Sequence, residues 1–324
     1  MQQMKKPGKR GIVILREDLC PEWINWMKEG DLNVLGIHEL PENGNGNTDK
    51  LLRWLSNPES RALIKSFEDE GITVEFELHA MTWLLPRELF IEHPEWFRVN
   101  SNNIRTNDLN LCPSSREALA EVQKNAYNLA SLLCQNSHLY HFWLDDAISS
   151  TCNCDRCRNY SGSDQNMIIM NEILKGLRKY DSQAELAYLA YADALVLPSV
   201  KPDKGIFLEF APMSRDHSKP LNFDGKPENI NYVKLLKSLL EIFSPGKTQI
   251  LEYWLDNALY SGYRRPPVKV PFFTDVAECD AALYKSLGID FISSFGSFIG
   301  KEYLYLHGTP PIKEYGEILL KAKI

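Results

Sequence analysis

Short apolar runs rich in Val, Ile, Leu, Phe and Tyr alternate with amphipathic stretches of helical period along the whole chain. Eight runs read as strands: Gly11 to Arg16, Asn33 to His38, Thr73 to His79, Tyr140 to Asp145, Glu185 to Tyr191, Ile206 to Phe210, Gln249 to Trp254 and Asp290 to Phe295. Most are near-continuous rather than alternating, as parallel strands buried on both faces should be. Helices are expected at Pro21 to Glu29, from about Thr48, at Gln165 to Lys179, Pro227 to Phe243, Asp275 to Leu287 and Pro311 to Lys321. Asn57 before Pro58 predicts an N-cap followed by a proline at the first helical position. Ser114 followed by Glu117 predicts a capping box for a helix running to about Gln135. The fifth strand is followed by Ala192 to Lys204, where Pro198 and Pro202 leave room for little more than one turn.

Eight such units in 324 residues predict a single α/β domain over 1–324, a (β/α)8 TIM barrel with a short or missing helix after strand 5. A doubly wound sheet is the alternative, but no G-x-G-x-x-G follows the first strand and no linker divides the chain. The Asn/Gly segment Glu42 to Asn47 reads as a loop. Residues 81–113 form a long irregular connection after strand 3, and their Trp83, Phe90, Trp96 and Phe97 predict a loop packed over the barrel mouth.

Charge narrows the partners. Lys and Arg number 36 against 43 Asp and Glu, a net −7, which disfavours a nucleic acid. No apolar run reaches the roughly 18 residues of a membrane helix, so no membrane partner is expected. After Lys5, Lys6, Lys9 and Arg10 the apolar run is only Ile12 to Leu15, too short for a secretory core, so a cytoplasmic protein is expected.

In a barrel the reactive groups come from the C-terminal strand ends and the loops after them. Strand four ends in Asp145 and Asp146, strand six carries Glu209 and strand seven Glu252. A lone acid at a strand end is commonly a cap or an ion-pair partner, but acids at three strand ends together suit glycosidic cleavage, which needs one protonated and one ionised carboxyl. Adjacent Asp145 and Asp146 point to opposite faces in a strand, and spacing leaves open which faces the cavity. Trp143, Tyr191, Tyr253 and Trp254 lie where a sugar ring could stack, with core packing as the alternative. His38 and His79 close strands two and three on the same mouth. His93, Arg105, Arg215 and His217 lie in loops of that face, and Arg215 could meet a substrate carboxylate.

Seven cysteines include Cys152, Cys154 and Cys157 within six residues of the loop after strand four. This is metal-ligand spacing, and Cys112, at the end of the neighbouring loop, is the best fourth ligand for a structural zinc. A disulfide with a spare thiol, or free thiols, are the alternatives. Cys20, Cys134 and Cys279 fall in helical patterns and read as core. No cofactor is needed for the carboxyl chemistry itself.

The run Phe142-Trp143-Leu144-Asp145-Asp146, then Cys152-x-Cys154-x-x-Cys157, Ser163-Asp164-Gln165 and Asn171, resembles the signature of a bacterial family of uncharacterised glycoside-hydrolase-like barrels similar to α-glucuronidases and, more distantly, β-hexosaminidases. The likeness extends through His93-Pro94-Glu95-Trp96-Phe97, Leu111-Cys112, Leu189-Ala190-Tyr191 and Phe207 to Pro212 with Arg215 and His217, over roughly residues 30 to 300. The resemblance implies a glycoside hydrolase with Asp146 as general acid, or Asp145 in its place, and Glu209 and Glu252 as the base or its partner. An aspartate stands where those relatives use glutamate, which shortens the reach of the strand-four acid. The implied partner is a carbohydrate substrate carrying a uronic acid or an N-acetylated sugar. A non-catalytic carbohydrate-binding barrel is the alternative.

Overall fold

In a computed structural model that describes residues 8–321, eight parallel strands close into one barrel in sequence order. They are β1 (Arg10–Leu15), β2 (Val34–His38), β3 (Thr73–His79), β4 (Leu139–Trp143), β5 (Glu185–Ala190), β6 (Ile206–Phe210), β7 (Thr248–Glu252) and β8 (Phe291–Phe295). Register pairs β1 with both β2 and β8, which completes the closure. The (β/α)8 barrel predicted from the alternating runs is therefore the observed fold. Lys5 and Lys6 lie outside the described residues.

Helices surround the barrel: α1 (Glu22–Glu29), α2 (Thr48–Leu55), α3 (Pro58–Asp69), α4 (Met81–Leu84), α5 (Arg116–Leu133), α6 (Gly162–Tyr180), α7 (Pro227–Leu239), α8 (Asn257–Tyr260), α9 (Thr274–Ser286), α10 (Lys301–His307) and α11 (Ile312–Lys321). None of those described is long and apolar enough to cross a membrane. Asn57 caps α3 as expected, its side chain accepting from the Glu59 amide at 2.9 Å. The cap of α5 is Ser115 rather than Ser114: Ser115 Oγ accepts from the Ala118 amide, while the Ser114 hydroxyl lies against Cys112 Sγ. After β5 only the turn Ala192–Ala194 forms. Cys20 is buried, but Cys134 and Cys279 are exposed rather than core.

The connection over 81–113 contains α4 and two 3-10 turns, Arg87–Phe90 and Pro94–Trp96. Phe97 is fully buried and packs edge-on against Phe90 at 5.4 Å. These contacts draw the segment onto the flank of the barrel beside the loop after β4. Its Asn110 and Leu111 line a cavity with His79, Leu189 and Tyr191, while none of its residues lines the neighbouring cavity bounded by His38, Trp143 and Tyr253.

The barrel interior is layered by the two-residue alternation of each strand. Val13, Trp143, Leu189, Leu251 and Phe295 form an apolar layer at the C-terminal end. The layer beneath is polar: Glu75, Glu77, His141, Glu209 and Gln249 are all essentially inaccessible to solvent. Gly36 of β2 makes this possible, because a Cβ there would lie 2.6 Å from Glu77 Oε1. Any larger residue would need the carboxyl to move.

Candidate active site

The mouth of the barrel holds a cavity lined by His38, His79, Trp143, Asp146, Tyr191 and Tyr253, six of the residues picked out by sequence. Asp256, Tyr263, Met213 and Phe295 also line it. His38 and His79 pack edge to face with centroids 5.8 Å apart, and Trp143 lies within 5.6 Å of both. Each imidazole is fixed from behind. His38 Nδ1 donates to the Glu77 carbonyl at 2.6 Å and His79 Nδ1 donates to the Leu144 carbonyl at 2.5 Å. A carbonyl can only accept, so Nδ1 carries a proton in both rings. Burial, then the neighbouring His79, lowers the pKa of His38 to about 4, which keeps it neutral at physiological pH.

The two strand-four aspartates part company because β4 ends at Trp143, before either of them. Asp145 turns into the loops. Its Oδ2 accepts from Arg87 Nη2 and from the Asn110 amide, both at 2.5 Å, and its own amide donates to Asn110 Oδ1 at 2.9 Å. Burial raises its pKa against the pull of Arg87. Asp146 lines the central cavity together with Tyr191, whose hydroxyl donates to Met213 Sδ at 3.3 Å. Its backbone is held by the Asn/Gly segment, with the Asp146 amide donating to the Gly44 carbonyl at 2.8 Å. That segment rides close on β3: a Cβ at Gly46 would lie 1.5 Å from the His79 carbonyl oxygen.

Glu209 and Glu252 do not reach the cavity. Glu209 points inward but one layer too deep, with Trp143 between it and the mouth. Its Oε2 accepts from Trp143 Nε1 at 2.8 Å and from His141 Nδ1 at 2.9 Å. His141 is also 3.4 Å from Glu75, and its pKa is raised well above the usual imidazole range by these carboxylates despite burial. Burial and the nearby Glu209 push the Glu77 carboxyl well up, so it favours its protonated form.

Glu252 points outward because its neighbour Leu251 points in. It meets α9, accepting from the Tyr284 hydroxyl and lying 3.5 Å from Arg215 Nη1. Arg215 Nη2 makes a 2.6 Å ion pair with Asp280, and Trp254 Nε1 donates to the same carboxylate at 3.4 Å. Arg215, Glu252 and Trp254 therefore form a buried polar cluster between barrel and helix, remote from any substrate in the mouth. His217 donates from Nε2 to the Met213 carbonyl at 2.7 Å, and burial lowers its pKa to about 4. Arg105 is spent on the carbonyls of Glu95 and Phe97, and His93 stacks on Trp96 at 4.1 Å.

Asp256 is the residue that sequence reasoning missed. It lies two positions beyond the predicted end of strand seven, where α8 begins, and is 5 % exposed. Burial raises its pKa from 3.8 to about 6, opposed by the Ser297 hydroxyl and the Leu259 and Ala258 amides. Its Oδ1 has no hydrogen-bond partner within the protein. The available signal was its place as the first acid after the strand.

Among the described residues, two clusters have the side chains to hold a metal ion. In the first, one ligand atom from each of Cys112, Cys152, Cys154 and Cys157 lies within 4.8 Å of all the others. Sequence spacing therefore identified a real convergence of thiols. Glu75, Glu77 and His141 satisfy the same distance, but inside the buried polar layer just described.

Residues 23–255 match the family model described as a domain of unknown function, DUF4838. No curated protein matches the sequence. Among solved structures, the cellulose synthase subunit Z of Clostridioides difficile aligns with a TM-score of 0.54 at 10% identity, covering 97% of this chain and 99% of that one. A glycoside hydrolase family 5 enzyme from Prevotella bryantii B14, in complex with a xyloglucan tetradecasaccharide, aligns with a TM-score of 0.54 at 13% identity over 93% and 87% of the two chains. A family 5 xyloglucanase from Paenibacillus pabuli gives 0.52 at 11% over 94% and 90%. What is shared at such identity is the (β/α)8 barrel fold.

Proposed function

Since the chain belongs to the DUF4838 family, whose function is unknown, we propose its chemistry from the mouth of its own barrel: hydrolysis of a glycosidic bond in a neutral glycan, with Asp146 and Asp256 as the reacting carboxyl pair. The observation that carries this reading is the facing of two carboxyls into one aromatic-lined cavity, one of them raised to about pH 6 by burial. Asp256 is suited to hold the proton that passes to the leaving oxygen as the C–O bond breaks. Asp146, half-buried in the same cavity lining, then acts as nucleophile or as base toward the water whose oxygen ends on the anomeric carbon. These roles reverse the acid assignment implied by resemblance and replace Glu209 and Glu252, which Trp143 and the strand alternation keep out of the cavity.

Trp143, Tyr191 and Tyr253 offer faces and edges to a sugar ring, while His38 offers a neutral acceptor nitrogen and His79 a second imidazole to its hydroxyls. Among the described residues lining the cavity there is no lysine or arginine, and Arg215 is committed to Asp280. A uronic acid would thus meet carboxylates without a compensating cation. That favours a neutral substrate, an N-acetylated sugar included, over a uronic one.

The test is hydrolysis of a panel of aryl glycosides and polysaccharides by the wild type and by Asp146→Asn and Asp256→Asn. Each amide variant should lose roughly 10²-fold or more in kcat. Full turnover in either variant would remove that residue from the reaction. Glycan binding by the wild type with no bond cleavage across the panel would instead favour a carbohydrate-binding barrel.

A further inference from the structure

We propose that Cys112, Cys152, Cys154 and Cys157 bind one zinc ion as a closed tetrathiolate site that ties the loop after β3 to the loop after β4. Zn–S bonds of about 2.3 Å at tetrahedral angles place ligand sulfurs about 3.8 Å apart. Cys112 Sγ lies 3.7 Å from Cys154 Sγ and 3.8 Å from Cys157 Sγ. A disulfide would require about 2.05 Å, and all four cysteines are unbridged.

The surroundings suit sulfur carrying negative charge. The Val99 amide donates to Cys152 Sγ at 3.3 Å, and the Ser114 hydroxyl lies 3.1 Å from Cys112 Sγ. Such donors to metal thiolates fix the ligands' orientation. Gln165 holds the ligand loop from behind, its Oε1 accepting from the Cys152 amide and its Nε2 donating to the Cys152 and Cys157 carbonyls. Three of the four cysteines are buried, and four protein ligands leave no coordination position for water or substrate, so the metal is structural. Binding displaces the four thiol protons, which leave to solvent.

The location gives the metal a purpose independent of what the mouth binds. Cys112 follows Asn110, which exchanges hydrogen bonds with Asp145, and Cys152 stands six residues after Asp146. The ion would close the frame that presents this loop to the cavity.

Elemental analysis of protein purified under reducing conditions, without added chelator, should give one zinc per chain. Exchange for Co²⁺ should give the thiolate-to-cobalt charge-transfer and visible d–d bands of a tetrahedral all-sulfur site. Cys154→Ser, the least buried ligand, should lower zinc content and shift the cobalt spectrum. Iron in place of zinc would overturn the proposal. Substoichiometric zinc after reconstitution, or the mass loss of a disulfide in the native chain, would do the same. These wild-type measurements decide the matter even if the variant does not fold.

Discussion

Asp256→Asn offers a test in which catalysis and stability should move in opposite directions. The buried carboxyl binds its proton more tightly folded, at about 6, than unfolded, near 3.8. A group raised in this way contributes its full stability below the unfolded value and loses it as pH rises through the folded value. The interval of about two pH units, at about 1.4 kcal/mol each, makes ionised Asp256 cost about 3 kcal/mol at neutral pH. An asparagine never ionises and escapes that cost. Its amide group brings N–H donors into the same buried site, and their incomplete pairing costs about 1 kcal/mol. A net gain of about 2 kcal/mol should remain, or roughly 3 °C in Tm for a chain of this length. Thermal or urea unfolding of both proteins should show the gain at about pH 7.5 and its disappearance by about pH 4, while hydrolysis is lost throughout. Titrations elsewhere cancel in the difference. An equal stability difference at both pH values, or a variant less stable than the wild type at about pH 7.5, would refute the reasoning.

Other consequences can be measured separately. On the proposed roles, kcat/KM should fall tenfold per unit above about pH 6 as Asp256 loses its proton, and a limb displaced to about pH 8 would disqualify it as the acid. Arg215→Met leaves Glu252 and Asp280 buried without their cation and should lower unfolding free energy by about 3 to 5 kcal/mol in urea titrations. Its kcat per folded molecule should stay unchanged, because Arg215 does not line the cavity. Asp145→Ala releases Arg87 and the Asn110 amide, and the loosened Asp146 loop should show in steady-state kinetics as a drop of about 10- to 100-fold in kcat.

The barrel was legible in the sequence because strands covered on both faces read as unbroken apolar runs, and turn chemistry separates them. Strand ends were less so. The runs through Asp145 and Trp254 overshoot β4 and β7 by two residues, since apolar side chains continue into loops that are themselves buried. That overshoot hid the separation of Asp145 from Asp146 and made Glu252 look terminal. Alternation from inward Leu251 was enough to turn Glu252 outward, and Asp256 was the next acid along. Glu209 faces the correct way, but its depth depends on Trp143 from another strand, which no local pattern encodes. His38, His79, Tyr191 and Tyr253 were found because a strand end on the C-terminal side leads to the mouth. The cysteines were found because loops of neighbouring strands share one face.

The polar layer under Trp143 also bears on how such a sequence can change. In an apolar barrel axis one aliphatic residue replaces another with little consequence. Here Glu75 and Glu209 both meet His141, Glu77 is buried beside them, and Gly36 leaves the space that Glu77 fills. Losing one member strands a buried charge on the others, so single replacements are selected against and drift must proceed by compensated sets. Among homologues, positions 36, 75, 77, 141, 209 and 249 should therefore covary as a block, independently of the cavity residues above them.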